Sequence, residues 1–319
     1  MNDQTKLKSI RDGFGEALLE VGEKNKEVVV LTANLGESTR AHLFAEKFPE
    51  RFFDIGVAEQ ALVTVASGMA NYGKIPFVTS YAVFSPGRTF EQIKVTVSLN
   101  DVPVKIVGAH AGFGAGPYGA THESLEDISL MRVIPNMVVV VPCDFEEAKK
   151  ATIAVSKNGK PSYLRLARQD SALLTNSDSN FEIGKAEILH SSKDPQVTIV
   201  GCGPVLAEAL KAVEELSKSA IEVEVVNCHT IKPIDERTII SCAKKSGAVV
   251  TIEEHQVNGG MGSAVSEVLS QNFPVPIEIM GVKDQFGESG STEELLEKHH
   301  LTVKGIVESV KKVISRKNN

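Results

Sequence analysis

Glu59 is a lone acid between an apolar run and a small-residue helix, in the segment FFDIGVAEQALVTVASGMANYG at residues 52–73. The apolar run predicts a strand at 52–56, and residues 61–70 predict a helix. A carboxylate at such a junction is expected to be largely desolvated, which is costly unless another group pairs with it. Glu59 therefore either caps the helix and bonds nearby backbone, or serves a ligand.

Two aromatic side chains, Tyr81 and Phe84, follow a predicted strand in the segment TSYAVFSPGR. Loops just past strand ends are the usual ligand-binding positions in α/β folds. Aromatic residues at i and i+3 also fill cores. The spacing by itself leaves both interpretations open.

Composition and charge exclude several classes of protein. The chain has 319 residues, 42 % hydrophobic and 24 % charged, with a net charge of −7, which is ordinary for a globular protein with room for two domains and argues against a nucleic-acid surface. No apolar run approaches the roughly twenty residues of a membrane span. The N-terminus is too polar for a signal peptide. We expect a cytoplasmic protein that binds neither nucleic acid nor membrane.

Cysteine and histidine spacing gives no sign of a metal site. The four cysteines, Cys143, Cys202, Cys228 and Cys242, are scattered without a CxxC pair, and the eight histidines show no HExxH. This pattern fits reduced, buried thiols rather than a disulfide framework or a zinc site. We expect no metal held by this chain alone.

Strands alternate with helices along the whole chain, which predicts an α/β fold of two domains, each a mostly parallel sheet with helices on both faces. The predicted domains are residues 1–170 and 196–319, joined by a linker at 171–195. Predicted strands lie at 28–33, 52–56, 75–80, 102–109, 137–142, 162–167, 197–201, 221–227, 248–253 and 275–280, with a short one near 181–188. Predicted helices lie at 7–24, 39–47, 61–70, 89–99, 145–156, 206–217, 236–246 and 261–272, and from 303 onward.

Two glycine-rich turns of the second domain, GCGP and NGGMGS, look like phosphate-binding loops. Neither has the spacing of a P-loop or of a dinucleotide-binding fingerprint. We interpret both as tight strand-to-helix turns.

Taken together, the motifs GVAEQ, PFVTSYAVF, GAGPYGATHES and RVIPN resemble the transketolase family of thiamine-diphosphate enzymes. The resemblance covers essentially the whole chain, but only the second half of a full-length transketolase. It implies a pyrimidine-binding domain followed by a transketolase C-terminal domain. It also implies that Glu59 bonds the aminopyrimidine ring of the cofactor and activates it, as the matching acid does in the family.

The resemblance assigns further residues by their motifs. Phe84 and Tyr81 would line the pyrimidine pocket, and His122 would act beside the reactive carbonyl as a general acid or oxyanion donor. Taken singly, Arg11 and Arg168 fit surface charges, and His110 at a strand end fits a structural role as well as a binding one. As a matched set they would hold the substrate phosphate: Arg11 in SIRDGF, Ser38 in GESTR, His110 in GAHAG and Arg168 in LARQD.

Three positions depart from the family pattern. Tyr118 stands where relatives carry an aspartate that touches substrate hydroxyls, and Asn34 replaces an acid near the cofactor. Gly87 stands where many relatives have a third aromatic residue, so the pocket is either looser or closed by Arg88 or Phe90. These departures leave the ketose donor open.

The family's GDG…N motif, which holds magnesium on the diphosphate, does not occur in these residues. The resemblance therefore implies a partner subunit that carries the diphosphate half with its Mg²⁺, in an α2β2 assembly. The predicted function is the C-terminal subunit of a split transketolase, moving a two-carbon ketol unit between sugar phosphates. The alternatives are the beta subunit of a 2-oxoacid dehydrogenase decarboxylating component and a non-catalytic paralogue.

Overall fold

Two mostly parallel sheets, each covered by helices, organise the chain in the computed structural model, which describes residues 7–317. The predicted fold class is therefore confirmed. Within residues 7–317, no helix combines the length and apolar character that crossing a membrane requires.

The first sheet is built from the N-terminal half in the order β6-β7-β5-β4-β2-β3, with all neighbours parallel. The central strands at Val28–Thr32 and Lys105–Ala109 are buried along their whole length, as expected of strands that carry helices on both faces. The strands of this half are β1 (Leu7–Ser9), β2 (Val28–Thr32), β3 (Phe52–Asp54), β4 (Ile75–Tyr81), β5 (Lys105–Ala109), β6 (Val138–Val140), β7 (Ser162–Leu166) and β8 (Asp170–Ala172).

The helices of this half are α1 (Ile10–Lys24), α2 (Gly36–Thr39), α3 (His42–Lys47), α4 (Glu59–Asn71), α5 (Phe90–Gln92), α6 (Asp127–Arg132) and α7 (Phe145–Lys157). Helices α1 and α7 approach closely at Gly13, where a Cβ atom would lie 2.3 Å from the carbonyl oxygen of Phe145. Asp144 caps α7 by accepting a hydrogen bond from the Glu147 backbone N–H.

Several predicted boundaries differ from the structure. Residues 7–9 were expected in the first helix, but they form β1, which pairs antiparallel with β8 at the start of the predicted linker. The helix predicted at 89–99 is regular only over Phe90–Gln92, and beyond it Leu99 N–H donates to the Lys94 carbonyl five residues back. Short elements such as β1 and β8 depend on distant partners, so local periodicity does not reveal them.

The second sheet has the order β14-β13-β10-β11-β9 and is parallel except for β9. Its strands are β9 (Glu187–His190), β10 (Val197–Gly201), β11 (Val223–Asn227), β13 (Val249–Gln256) and β14 (Ile277–Val282), with β12 (Thr230–Lys232) lying apart. Its helices are α8 (Leu206–Ser217), α9 (Glu236–Ser246), α10 (Met261–Asn272), α11 (Thr292–Lys298) and α12 (Val303–Lys317). Helix α11, which was not predicted, begins with a capping box between Ser291 and Glu294.

The two halves of the chain share a sheet. Strand β12 leaves the second domain and pairs antiparallel with β6 at the edge of the first sheet, which becomes seven-stranded. One apolar core cluster also runs from the first half into α9 and α10 of the second. The boundaries at residues 170 and 196 stay a prediction.

The two glycine-rich turns lie between a strand and a helix. Gly201 packs tightly, since a Cβ atom there would lie 2.6 Å from Leu206. At the start of α10, the position that an anion would take is filled by the Glu253 carboxylate, which accepts from Met261 N–H at 2.7 Å and Gly262 N–H at 2.8 Å. The phosphate-like appearance of NGGMGS thus corresponds to an internal carboxylate.

Candidate active site

The carboxyl ends of the parallel strands of the first sheet bring most candidate residues to one edge. Asn34 follows β2, Tyr81 ends β4, His110 follows β5 and Arg168 follows β7. Because β2, β4, β5 and β7 are consecutive and parallel, their carboxyl ends lie side by side. This edge is the usual ligand position in open α/β sheets.

Glu59 is the first residue of α4 and is only 2 % exposed. Its Oε2 accepts a hydrogen bond from Arg88 Nη1 at 2.8 Å. The preceding residue, Ala58, offers no side-chain cap, and a carboxylate in the first turn of a helix is favoured by the helix dipole. Both interpretations of Glu59 thus have a physical basis: it occupies a helix start, and it is a buried acid beside an aromatic group.

That aromatic group consists of Tyr81, Phe84, His110 and His122. Tyr81 and Phe84 stack with ring centroids 6.0 Å apart and planes 16° apart, and the His110 ring lies 4.0 Å from Tyr81 on centroids. The His122 ring meets Phe84 nearly edge-on at 5.5 Å. Both Tyr81 and Phe84 are partly exposed, so each ring leaves some surface open to a ligand, and their role in a pocket stays a prediction.

Arg88 closes the side of this aromatic group. Its guanidinium carbon lies 4.9 Å from the Phe84 ring centroid while its Nη1 bonds Glu59. Phe90, the other residue considered for this place, packs against the main core instead. Arg88 was one of two residues predicted to close the pocket beside Gly87, but its contact with Glu59 was not predicted.

Three arginines and His110 form a cationic group next to the aromatic one. Arg11 ties two predicted segments together, because its Nη1 donates to the Ser38 carbonyl at 2.7 Å and its Nη2 to the Arg168 carbonyl at 3.1 Å. Burial, followed by the charges of Arg40 and Arg168, lowers the pKa of Arg11. Arg40 was missed by sequence reasoning although it belongs to the quoted GESTR segment, and Asp12 holds it through an ion pair.

His110 is buried and is held neutral by its surroundings. Burial, followed by repulsion from Arg11, Arg168, Arg40 and His122, lowers its pKa to about 3. Its Nδ1 and the Nε of Arg11 are buried and bond to no residue within 7–317. Unpartnered polar nitrogens among like charges are what an anion site presents before it is filled.

His122 and Tyr118 lie at the open side of the site. The Thr121 hydroxyl and His122 Nδ1 are 2.9 Å apart, which orients the imidazole, and the Tyr118 ring lies 5.2 Å from it on centroids. Tyr118 is 55 % exposed, and the Arg168 guanidinium lies 6.0 Å from its ring. Tyr118 therefore connects His122 to the cationic group.

Asn34 lies at the rim rather than in the aromatic group. It is exposed, its φ of 59° is left-handed, and its backbone N–H donates to Asp54 Oδ1 at 3.0 Å. Together with Ser38 it lines a cavity of about 370 Å³. The backbone, rather than the amide side chain, makes its described contact.

The residues present fit one half of a thiamine cofactor. A buried carboxylate, joined through the Arg88 guanidinium to a pair of stacked aromatic rings, matches an aminopyrimidine, which is flat and offers ring-nitrogen contacts. For the diphosphate and its metal, the part of the chain described here contains no grouping of three or more His, Cys, Asp or Glu side chains suited to an ion.

Comparison with known proteins decides the family. Residues 6–172 match the pyrimidine-binding domain of transketolase, and residues 184–306 match the transketolase C-terminal domain. This chain belongs to the transketolase family. The predicted resemblance to the C-terminal subunit of a split transketolase is also confirmed.

Relatives of this transketolase-family chain align over nearly its whole length. A protein of Methanocaldococcus jannaschii named as a transketolase C-terminal section is 42 % identical, covering 96 % of this chain and 97 % of that protein. A 6-deoxy-6-sulfo-D-fructose transketolase subunit of Clostridium sp. is 41 % identical, covering 97 % and 95 %. A solved split-gene transketolase, described as an inactive beta4 tetramer, superposes with a TM-score of 0.88 at 42 % identity, covering 96 % and 98 %.

Proposed function

We propose that this chain is the C-terminal subunit of a two-chain transketolase that transfers a two-carbon ketol unit between ketose and aldose phosphates with thiamine diphosphate. The observation that carries the proposal is the buried Glu59 carboxylate, linked through Arg88 to Phe84 of the stacked Tyr81–Phe84 pair, with a cationic group on the same sheet edge. The transketolase family uses thiamine diphosphate, which supplies the nucleophilic carbon that takes the two-carbon unit.

Residues of this chain would contact the pyrimidine ring of the cofactor and the reacting carbonyl group of the substrate. Glu59 would hydrogen-bond the pyrimidine ring from its dry position, with Phe84 and Tyr81 providing the flat apolar surface and Asn34 at the rim. His122, oriented by Thr121, would donate a hydrogen bond to the reacting carbonyl oxygen. These roles require no metal from this chain.

The cationic group would bind the substrate phosphate. Arg11 and Arg168 are joined through a hydrogen bond, with the Ser38 segment on the other side of Arg11. A phosphate there would cancel the mutual repulsion of the arginines and could accept a hydrogen bond from neutral His110. Tyr118, in contact with His122, would face the substrate hydroxyls.

We propose that the partner is an N-terminal transketolase subunit that holds the diphosphate and Mg²⁺, in an α2β2 assembly with two sites. The fit of the residues to the pyrimidine half supports this, together with the lack, within residues 7–317, of a His, Cys, Asp or Glu grouping suited to a metal ion. We place the protein in the cytoplasm, where its four buried thiols would remain reduced.

The testing experiment is a coupled ketol-transfer assay with xylulose 5-phosphate, ribose 5-phosphate, thiamine diphosphate and Mg²⁺. The chain is assayed alone and with the candidate partner encoded beside it. We expect activity only in the mixture. Because a relative is named for a sulfosugar, 6-deoxy-6-sulfo-D-fructose is added as a second donor. If the assembled complex turns over neither ketose but decarboxylates 2-oxoacids, the dehydrogenase alternative replaces the proposal.

Replacing Glu59 tests its assignment within that assay. Glu59→Gln is expected to lower kcat at least about a hundredfold, because the amide cannot exchange a proton with the ring nitrogen. Glu91→Gln, at an exposed position of α5, is the matched control and should retain full activity. A folded Glu59→Gln complex with the parental rate would contradict the assignment.

A further inference from the structure

Glu59 is paired by a side chain that is itself half exposed to solvent. The Arg88 guanidinium is 51 % exposed and donates to the 2 % exposed Glu59 carboxylate at 2.8 Å. A buried carboxylate gains strongly from such a partner, whereas a solvated guanidinium loses little when the contact breaks. The pair is therefore asymmetric: the buried Glu59 carboxylate needs a hydrogen-bond partner, whereas the Arg88 guanidinium can exchange Glu59 for water.

Arg88 also occupies the aromatic surface. Its guanidinium lies 4.9 Å from the Phe84 ring centroid, within cation–π range. The guanidinium is flat, cationic and rich in N–H donors. A protonated aminopyrimidine has the same three properties. Arg88 thus makes with Glu59 and Phe84 the two contacts that the proposed function assigns to the cofactor ring.

The Arg88 side chain has room to move on its solvent side, because it is 51 % exposed. The adjacent Gly87 carries no side chain, and a Cβ atom there would meet only the Ala82 carbonyl oxygen, at 3.8 Å. A half-exposed arginine can change rotamer toward solvent without displacing packed atoms.

We propose that Arg88 is a displaceable internal occupant of the pyrimidine slot: it pairs the Glu59 carboxylate in the empty subunit and leaves when the cofactor ring enters. This inference rests on the proposed function and makes Arg88 a positioning residue that acts through Glu59. The fraction of subunits in which Arg88 occupies the slot cannot bind the cofactor ring. The apparent Kd for thiamine diphosphate therefore equals the intrinsic Kd divided by the fraction of subunits in which the slot is open.

The experiment measures thiamine diphosphate binding by calorimetry on the full chain assembled with its candidate partner and Mg²⁺. Arg88→Gln is expected to tighten binding by about three- to tenfold, since a half-exposed pair contributes modestly. Lys304→Gln is the matched control because it removes an equal charge from an exposed position of α12, away from the candidate site. Its Kd should equal that of the parent complex.

A second readout separates displacement from general destabilisation. In the chain alone, Arg88→Gln should lower the melting temperature because Glu59 loses its partner, and Glu59→Gln added to it should restore most of the loss. If Arg88→Gln fails to fold, Arg88→Lys takes its place. Lysine keeps the charge but loses the flat donor array, so we expect tighter binding than in the parent.

Unchanged or weaker binding in a folded Arg88 variant would overturn the inference, and weaker binding would make Arg88 a cofactor ligand. If the parent complex is active while the Arg88 variants bind as it does, the inference alone fails and the proposed function stands. If the assembled parent complex binds no thiamine diphosphate, the proposed function fails and takes the inference with it.

Discussion

At the scale of single residues, the charge state of His110 determines how an anion is received. Its pKa of about 3 leaves the imidazole neutral near pH 7, so it can donate one hydrogen bond without adding a further positive charge to the three arginines around it. Burial lowers this pKa most, and the positive charges of the arginines lower it further. An anion that screens the arginines would therefore act directly on this pKa.

We expect ribose 5-phosphate or inorganic phosphate to raise the pKa of His110 by about one to two units, because a bound anion favours the charged imidazolium. The measurement is an NMR titration of the imidazole C–H resonances with and without saturating ligand. Arg168→Gln should abolish the change. A His110 resonance that titrates identically in both conditions would remove it from the phosphate site.

The same pKa makes a contribution to stability. Between pH 6.5 and about 3 the unfolded histidine binds a proton that the folded one excludes. The free energy of unfolding therefore falls as pH falls through this window, by at most about 2 kcal/mol from pH 6.5 to pH 5. His110→Gln, followed by urea unfolding at both pH values, should lose this part of the acid sensitivity.

At the scale of elements, helix α10 depends on an acid from the neighbouring strand. The Glu253 carboxylate accepts the first two N–H groups of α10, and Gly262 allows the close approach, since a Cβ atom there would lie 2.5 Å from Thr251. A helix start buried among apolar groups needs such a partner for its free N–H groups. Glu253 therefore positions α10 against β13.

Glu253→Gln should lower the free energy of unfolding by about 1–2 kcal/mol, because the amide can accept only one of the two N–H groups and leaves the other unpaired. Urea denaturation measures the change. Glu267→Gln, on the exposed face of the same helix, is the control and should have a smaller effect. Equal stability of Glu253→Gln and the parent would show that another group caps α10. Cofactor binding should be unaffected in both.

At the scale of the whole molecule, α4 with the residues that flank it and the segment after α5 expose several large apolar side chains. Val57, Tyr72 and Leu99 are each more than 70 % exposed, and Val65 and Val95 lie between them in the chain. Helix α4 also begins with Glu59, so this surface adjoins the candidate active site. Clustered exposed apolar groups mark contact surfaces between subunits.

We expect Val65→Glu combined with Leu99→Asp to weaken subunit association while leaving the fold intact, because both changes place charge on a surface that assembly would bury. Sedimentation velocity of the variant, alone and with the partner, gives the mass of each species, and circular dichroism verifies folding. Ile188→Asp, at a half-exposed strand position of the second sheet, serves as the control. An unchanged mass distribution would place the interface elsewhere.

The sequence by itself determined the elements whose signal is local. Runs of apolar residues rich in valine predicted the central strands, and amphipathic periodicity predicted helices such as α8 and α9. The segment around Glu59 predicted a strand, a turn and a helix, and all three occur there. These features depend on neighbouring residues in the chain. They can therefore be predicted from the sequence without knowledge of the fold.

Only the tertiary structure decided which distant segments pair as strands and which distant side chains come into contact. Strand β12 joined the first sheet although it lies in the second domain, and β1 formed only because β8 pairs with it. Arg88 donates a hydrogen bond to Glu59 although 29 positions separate the two residues in the chain. Arg40 lies close enough to lower the pKa of Arg11 because α1 packs against the neighbouring elements. Such contacts depend on which side chains the assembled sheet brings to one edge. Their energies arise from burial and charge in three dimensions, which no local pattern encodes.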